Sequence, residues 1–305
     1  MENTMTRILV LSTIIAAGVV SIAAAAYQAQ PAGTRTIETE KLRDNLYVLK
    51  SSTPGDNATF SGGNVSVFIT SSGVTLVDTK LAGWGQPLLD DIKKITDKPV
   101  TTVINTHTHA DHTGNNNLFT GQVTFIAQEN TKTNMEKMAT FTGENARFLP
   151  SKTFTTTLTV GSGNDRIELH YYGAGHTNGD TWVYFPALRV LQTGDMFAWK
   201  DAPLCDRANG GSCVEFPKTI AKALAEIRNV DDVIPGHSPM MKLKDLQEYQ
   251  RFNADFVAQA LAAKQAGTSV DNASAAIGAA LTRKYAGYQS TRVKAAVQVV
   301  YDESK

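Results

Sequence analysis

Three histidines and an aspartate lie within six residues of one another, directly after an apolar segment. They are His107, His109, Asp111 and His112. If the chain is extended here, His107 and His109 point to the same side, so their imidazoles can converge on one metal ion. A turn would direct Asp111 and His112 at a neighbouring ion. Imidazole and carboxylate ligands together suit zinc, and also iron or manganese, so the pattern predicts a metal centre.

The remaining histidines favour the same interpretation. The chain has six histidines, and five of them fall in three short motifs that each follow a predicted strand. The two further motifs are Gly173-Ala-Gly-His176 and Pro235-Gly-His237. A single histidine in a glycine-rich turn is commonplace, but the joint occurrence favours metal binding. His170 lies inside a predicted strand and is assigned no role.

This series of motifs resembles the metallo-β-lactamase superfamily, whose mark is His-x-His-x-Asp-His followed by separate histidine, aspartate and histidine motifs. The resemblance covers nearly the whole chain after residue 26 and implies two divalent metal ions, for which zinc is the best candidate. It implies two ligand sets that share a bridging aspartate: His107, His109 and His176 for the first ion, Asp111, His112 and His237 for the second, and Asp195 of Thr-Gly-Asp as the bridge.

The resemblance also implies a hydrolase that acts on a small molecule. The β-lactamases with a cysteine ligand carry that cysteine where this chain has Asp195, whereas a bridging aspartate resembles the glyoxalase II, lactonase and tRNA-processing branches. We therefore expect hydrolysis of a carbonyl ester, lactone, thioester or β-lactam. Two divalent ions would lower the pKa of a bridging water to about 7, and Asp111 would orient that water and receive its proton. Asp78 and Asp180 are expected to accept hydrogen bonds from ligand imidazoles, although a simple turn or cap role explains each of them equally well.

Two other function classes stay open. One is a mononuclear iron oxygenase that acts on persulfides, a branch of the same fold with a similar first motif. The other is a non-catalytic zinc-binding protein, which should have lost at least one ligand. Metal content distinguishes the oxygenase, and the complete ligand set argues against the non-catalytic protein.

Alternating apolar and helical patterns must position these residues, with most of the strands first. One predicted strand spans Phe154–Val160. A weak internal repeat is visible, because in both halves a strand ends in an aspartate, Asp78 or Asp195, and the next strand ends in a histidine, His107 or His237. Two such halves packed face to face predict an α/β fold, a four-layer αββα sandwich whose strand ends meet in one cleft. Helical patterns within residues 241–305 predict an additional C-terminal helical segment.

The loops near the cleft carry the two cysteines, Cys205 and Cys213, which are eight positions apart. In an exported protein a disulfide that orders this loop is favoured, and a metal-ligand role is the alternative. Trp199 and Lys200 lie just before this loop, and Phe60 lies in an earlier loop that could fold over the site. Lys200 could meet a substrate carboxylate, although a solvated surface lysine is the more common explanation.

The N-terminus has the pattern of an export signal. Arg7 is followed by 19 uncharged residues, Ile8–Ala26, and Ala24 and Ala26 suit cleavage before Tyr27. This predicts a signal peptide over residues 1–26 and a periplasmic or secreted hydrolase domain over residues 27–305, with no membrane attachment after cleavage. The alternative is an uncleaved anchor formed by residues 8–26, because 19 apolar residues just reach across a bilayer.

Composition narrows the partners. The 305 residues include 29 lysines plus arginines and 29 aspartates plus glutamates, so the formal net charge is zero. Proteins that bind nucleic acid usually carry a basic excess, so we do not expect a nucleic-acid partner. A hydrophobic content of 42% is typical of a globular protein with a core. The sequence makes no prediction of the oligomeric state.

Overall fold

Two β-sheets lie at the centre of the fold in the computed structural model, which describes residues 35–51 and 59–304. The seven strands of the first sheet, in their spatial order, are β1 (Thr39–Arg43), β2 (Leu46–Leu49), β3 (Val65–Ile69), β4 (Val74–Val77), β5 (Val100–Ile104), β6 (Thr124–Gln128) and β7 (Lys152–Phe154). The six strands of the second sheet, also in spatial order from one edge, are β8 (Thr157–Val160), β9 (Ile167–His170), β10 (Trp182–Phe185), β11 (Val190–Gly194), β12 (Asp232–Pro235) and β13 (Met241–Lys242).

Seven α-helices are present in the described part of the chain. They are α1 (Gly85–Ile95), α2 (Ala110–Thr113), α3 (Glu129–Met135), α4 (Phe216–Glu226), α5 (Leu243–Gln265), α6 (Val270–Lys284) and α7 (Val293–Glu303). The last three form the predicted C-terminal helical segment. Helix α6 begins with an N-cap in which the Ser269 side chain accepts a hydrogen bond from the Asn272 backbone N–H.

The side chains of each strand alternate between two cores, as the period of two along a strand requires. Val77 and Ile104 of the first sheet meet Val190 and Ile234 of the second in a shared core between the sheets. Their sequence neighbours point outwards. On the first sheet, the outward residues pack with Leu88 of α1 and other apolar side chains. The expected four-layer αββα sandwich is confirmed.

The outer face of the second sheet is covered by α4 and by the C-terminal helices. Phe216 of α4 shares one buried cluster with Phe252 of α5, Ile277 of α6 and Val297 of α7. Burying one such side chain contributes on the order of 1.5–3 kcal/mol. The C-terminal segment is therefore an integral layer of the fold.

The internal repeat corresponds to two parallel strand pairs. In the first sheet β4 pairs in parallel with β5, and α1 lies between them in the chain. In the second sheet β11 pairs in parallel with β12, and α4 lies in the connection. Because the strands of each pair are parallel, the residues that follow them lie side by side, at the C-terminal ends of the strands. Asp78 and the segment from Asn105 onwards therefore lie at one edge of the first sheet, and Asp195 and His237 at one edge of the second.

The single strand predicted over Phe154–Val160 is wrong. The chain forms two strands here, β7 and β8, which belong to different sheets. The run from Thr155 to Thr157 contains no glycine or proline, and threonine favours strands, so the sequence carries no sign that the chain leaves one sheet for the other. The edge strands β1 and β13 are further elements that periodicity did not predict.

The predicted signal peptide over residues 1–26 lies outside the described residues. Among residues 35–51 and 59–304, no helix is long and apolar enough to cross a membrane.

Candidate metal centre

The segment after β5 carries the first four candidate ligands. It leaves the sheet at Asn105, bends over residues 106–108, is extended at His109, and then forms the short helix α2, in which the His112 N–H donates to the His109 carbonyl at 3.0 Å. The turn of helix places His112 beside the preceding histidines, with its ring centre 4.2 Å from that of His107. The Asp78 carboxylate fixes the start of this segment, because it accepts hydrogen bonds from the Thr106 N–H at 2.7 Å and from the Thr106 hydroxyl at 2.8 Å.

Three imidazoles converge in a first group. The His109 Nδ1 atom lies 3.2 Å from His107 Nε2 and 2.9 Å from His176 Nε2. Zinc–nitrogen bonds of 2.0–2.1 Å in a tetrahedron separate the nitrogens by about 3.3 Å, so the group has the size of a three-histidine zinc site. Burial lowers the pKa of His107 well below its usual range and lowers that of His176 to about 4. Both rings are therefore neutral and have a free lone pair for a metal ion.

A second group lies beside the first. The His237 Nε2 atom is 3.3 Å from His112 Nε2 and 3.3 Å from Asp111 Oδ2, and Asp111 Oδ2 is 3.6 Å from His112 Nε2. Burial lowers the pKa of His112, but the carboxylates of Asp111, Asp78 and Asp195 outweigh it and hold that pKa well above its usual range. The same concentration of negative charge would favour a divalent cation in place of the proton.

Asp195 lies between the two groups. Its Oδ1 atom is 3.4 Å from His112 Nε2, and its Oδ2 atom is 3.3 Å from His237 Nε2 and 3.7 Å from His176 Nε2. Burial alone would raise the pKa of this carboxyl, but the His237 and His112 imidazoles hold it well below its usual range.

Two further observations show that a metal ion suits this position. Asp195 Oδ1 is buried and has no hydrogen-bond partner among the described residues, and a buried carboxylate oxygen in that state needs a cation or a donor. Gly236 allows the approach, because a Cβ atom at that position would lie 1.9 Å from the same oxygen. All seven residues expected to bind metal are thus brought into one cluster. It contains three overlapping groups that could each hold a metal ion: His107, His109 and His176; His107, His112 and Asp195; and Asp111, His112 and His237.

The ring nitrogen that faces away from the cluster has a hydrogen-bond partner in each of the five imidazoles. These contacts fix the orientation of the rings and determine which nitrogen is free for a metal. The partners are Thr106 Oγ1 for His107 at 3.0 Å, Asp206 Oδ2 for His109 at 2.7 Å, Asp78 Oδ2 for His112 at 2.7 Å, the Leu204 carbonyl for His176 at 2.7 Å and Ser51 Oγ for His237 at 3.2 Å.

Asp78 contacts an imidazole, as expected, whereas Asp180 does not have that role. The Asp180 carboxylate accepts hydrogen bonds from the Thr177 N–H at 2.8 Å and the Thr177 hydroxyl at 2.7 Å. These two hydrogen bonds to Thr177, three residues earlier in the chain, close the turn that follows His176. Burial raises the pKa of Asp180 to about 7, although the bonds from Thr177 oppose that shift.

Asp206 is a site residue that the sequence reasoning missed. It follows Cys205, which is joined to Cys213 by a disulfide in the structure. Leu204, on the other side of Cys205, supplies the carbonyl that holds His176. The disulfide loop thus supports two of the three imidazoles of the first group. The position of an aspartate next to a cysteine is the only sequence signal that could have indicated this role.

Of the other residues considered from the sequence, two are paired away from the ligands and two lie against the candidate ligand His237. His170 lies in β9, with its Nε2 atom 3.4 Å from Glu168 Oε2, and belongs to none of the ligand groups. Lys200 donates to Asp245 Oδ1 at 2.9 Å. The Phe60 and Trp199 rings both lie against His237, with centroid distances of 5.6 Å and 5.2 Å.

Comparison with known proteins gives consistent results. The sequence model of a family described as the metallo-beta-lactamase superfamily matches residues 58–237. A protein of Bacillus sp. (strain 170) named metallo-beta-lactamase type 2 is 26% identical over 209 residues, which cover 67% of this chain and 77% of that protein. A protein of the same name from Bacillus cereus is 28% identical over 214 residues, covering 67% and 77%.

Solved structures show the same fold. A metallo-beta-lactamase from Pontibacter korlensis superposes with a TM-score of 0.60 at 23% identity, covering 72% of this chain and 99% of that one. The DIM-1 metallo-beta-lactamase superposes with a TM-score of 0.58 at 21% identity, covering 72% and 97%.

Proposed function

Because this chain belongs to the metallo-beta-lactamase superfamily, we propose that it is a zinc-dependent hydrolase that uses two metal ions to cleave a bond at a carbonyl carbon. The observation that carries the proposal is the pair of ligand groups joined by Asp195. His107, His109 and His176 would hold one ion, and Asp111, His112 and His237 the other. When bound, two divalent ions would make hydroxide available near neutral pH and polarise the substrate carbonyl.

The exposure of the ligands supports a catalytic role for Asp111. Its side chain is 22% exposed, whereas that of Asp195 is 4% exposed and that of His112 is fully buried. Asp111 is therefore the cluster carboxylate that a water molecule can reach. Its place beside His237 and His112 allows it to orient an attacking water and accept the proton of that water. Asp195, which is buried, holds the two groups at a fixed separation.

The substrate class that fits best is a small molecule with an ester, lactone, thioester or β-lactam carbonyl. β-Lactam hydrolysis is supported by the names of the relatives. Lactone and thioester hydrolysis are supported by Asp195, which resembles the bridging aspartate of the corresponding branches. An exported location agrees with the disulfide, because disulfides persist in oxidising compartments.

Metal analysis combined with a hydrolysis panel tests the proposal. Purified protein should contain about two equivalents of zinc and should hydrolyse a member of a panel of lactones, thioesters, carboxylic esters and β-lactams. His176→Ala should lose activity and metal, whereas His170→Ala, a matched histidine outside the cluster, should retain both. A protein with one iron that consumes oxygen with a persulfide would contradict the proposal, and so would two zinc ions without hydrolysis of any panel member.

A further inference from the structure

A cavity of about 560 Å³ lies beside the metal cluster and shares His237 with it. The cavity is bordered by the segment after β11 and by the connection between α6 and α7. Two lining residues are cationic, Lys200 and Arg292, and none of the described residues in the lining is acidic. A cavity of this charge next to a hydrolytic site favours an anionic group on the ligand.

The two cations differ in whether they form an ion pair with another residue of the described chain. Lys200 Nζ lies 2.9 Å from Asp245 Oδ1 and 3.7 Å from Glu248 Oε1, so its charge is compensated within the fold. The Arg292 guanidinium makes no hydrogen bond and no ion pair with any residue of the described chain. The nearby Asp201 carboxylate instead accepts hydrogen bonds from the Ala202 N–H and from the Thr291 hydroxyl.

Arg292 is partly buried, so the lack of a partner is informative. Burial lowers the pKa of its guanidinium, while the charges of Asp201 and Asp195 oppose that shift. The group stays protonated at neutral pH, because a guanidinium does not lose its proton in proteins. A partly desolvated guanidinium with unused donors is a ready site for a planar anion.

The position of Arg292 relates it to the reaction site. Its Cζ atom lies 3.5 Å from the centre of the Trp199 ring, and that ring lies 5.2 Å from the His237 ring. These two steps place the guanidinium carbon within about 9 Å of the His237 ring centre. One small molecule can therefore contact both the guanidinium and the metal cluster.

The segment that carries Arg292 is fixed to the loop that carries Trp199. The Gln289 N–H donates to the Lys200 carbonyl at 2.8 Å. The Thr291 hydroxyl donates to Asp201, and the Tyr288 ring stacks on Phe252 of α5 at 4.3 Å. The guanidinium is thus held over the indole before any ligand arrives, which reduces the entropy lost on binding.

We propose that Arg292 binds a carboxylate of the substrate in this cavity while the scissile carbonyl lies at the metal cluster, with Trp199 as the platform that positions the guanidinium. The inference rests on the proposed hydrolytic function and specifies its substrate as an acid. Arg292 lies beyond residues 58–237, the range matched by the family model, so the preference comes from the C-terminal helical segment.

Binding of a simple acid to the metal-loaded protein tests the inference directly. Phenylacetate and its neutral analogue phenylacetamide are titrated into the parent and into Arg292→Met, Arg292→Lys and Lys294→Met, with heat as the readout. Lys294 is an exposed cation two positions away that pairs with Asp271, so Lys294→Met is the matched charge control. Metal content and thermal stability of each variant are measured in parallel.

The parent should bind phenylacetate more tightly than phenylacetamide. Arg292→Met should weaken phenylacetate binding by about 10- to 100-fold, as expected for the loss of hydrogen bonds to a charged group. Arg292→Lys should give an intermediate loss, because lysine keeps the charge but not the two-pronged donor geometry. Lys294→Met should resemble the parent, and phenylacetamide binding should be the same in all four proteins.

The inference is wrong if phenylacetate fails to bind the parent, or if Arg292→Met binds it as tightly as the parent does. A hydrolysis measurement separates this failure from failure of the proposed function. The two substrates are mono-4-nitrophenyl glutarate and its methyl ester, which share the scissile bond and differ in one carboxylate. Hydrolysis without an Arg292-dependent preference for the acid would support the proposed hydrolytic function and contradict the role of Arg292. Arg292-dependent phenylacetate binding without hydrolysis of any substrate class would support the anion site at Arg292 and contradict the proposed hydrolytic function.

Discussion

Removing the Asp206 carboxylate should weaken the first metal site without touching a metal ligand. Asp206 Oδ2 lies 2.7 Å from His109 Nε2, the ring nitrogen that faces away from the cluster. The same carboxylate accepts a hydrogen bond from the Ala208 N–H at 2.9 Å, which orders the disulfide loop. The Asp206 side chain is 23% exposed and that of His109 is 25% exposed.

The size of the effect follows from these contacts. A hydrogen bond to a charged group contributes about 1.5–3 kcal/mol when it is well shielded. Exposure of about a quarter of each side chain reduces this to about 1–2 kcal/mol, because water screens the pair. Asp206→Ala should therefore weaken metal binding at the first site by about 5- to 30-fold, since 1.4 kcal/mol corresponds to a factor of ten. Asp206→Asn keeps an oxygen acceptor and should lose less.

The assay is competition for zinc between the protein and a chromophoric chelator, with the parent, both Asp206 variants and Asp231→Ala compared. Asp231 is a surface aspartate paired with Arg189 and is the control for loss of one negative charge. Metal affinity should fall in the order parent, Asp206→Asn, Asp206→Ala, with Asp231→Ala equal to the parent. Equal zinc affinity of Asp206→Ala and the parent would refute the reasoning, and so would an equal loss in Asp231→Ala.

Three further predictions concern the bridge, the disulfide and a buried lysine. Asp195→Ala should retain about one metal ion per chain and lose hydrolysis, because the second ion loses its bridging ligand; two ions and full turnover in that variant would contradict the shared-carboxylate arrangement. The double variant Cys205→Ser and Cys213→Ser should show weaker metal binding at the first site, since the disulfide loop supports two of its imidazoles, and chelator competition against the parent measures the loss. Lys80→Met should reduce the rise of stability with pH, because burial lowers the pKa of Lys80 from 10.5 to about 7 in the folded state. Between these two pH values the unfolded parent binds more protons than the folded parent. The free energy of unfolding of the parent, relative to that of the variant, should therefore increase by up to about 1.4 kcal/mol per pH unit from pH 7 to 9. Guanidinium titrations at each pH measure that difference, and a constant difference would contradict the prediction.

The fold and the position of the cleft could be predicted because their signals are local, whereas the resemblance to the metallo-β-lactamase superfamily implied the complete ligand set with Asp195 as the bridge. Strand periodicity and the repeated order of aspartate and histidine lie within short stretches of the chain. Parallel neighbouring strands then bring their ends together, so Asp195 and His237 meet the segment from His107 to His112. No long-range contact has to be known in advance for this inference.

The supporting residues could not be predicted, because their partners are set by loop placement. Asp206 reaches His109 across 97 positions of the chain, and Arg292, in the connection between α6 and α7, lies over Trp199. Asp180 shows the opposite case. The hydroxyl and N–H of Thr177, three residues earlier, satisfy its carboxylate locally, so no imidazole competes for it.

The backbone of Asp78, next to the cluster, is strained, which indicates that its contacts with the site hold it in place. Asp78 has a φ of 68°, in the left-handed region that residues other than glycine seldom adopt. Such a conformation costs on the order of 1–3 kcal/mol and persists only where the surroundings enforce it. In this position the buried carboxylate receives two hydrogen bonds from Thr106 and one from His112. The strained Asp78 thus orients the candidate ligand His112 and fixes the start of the segment that carries three other candidate ligands. The strain at Asp78 destabilises the backbone locally, but the same conformation positions the candidate metal centre.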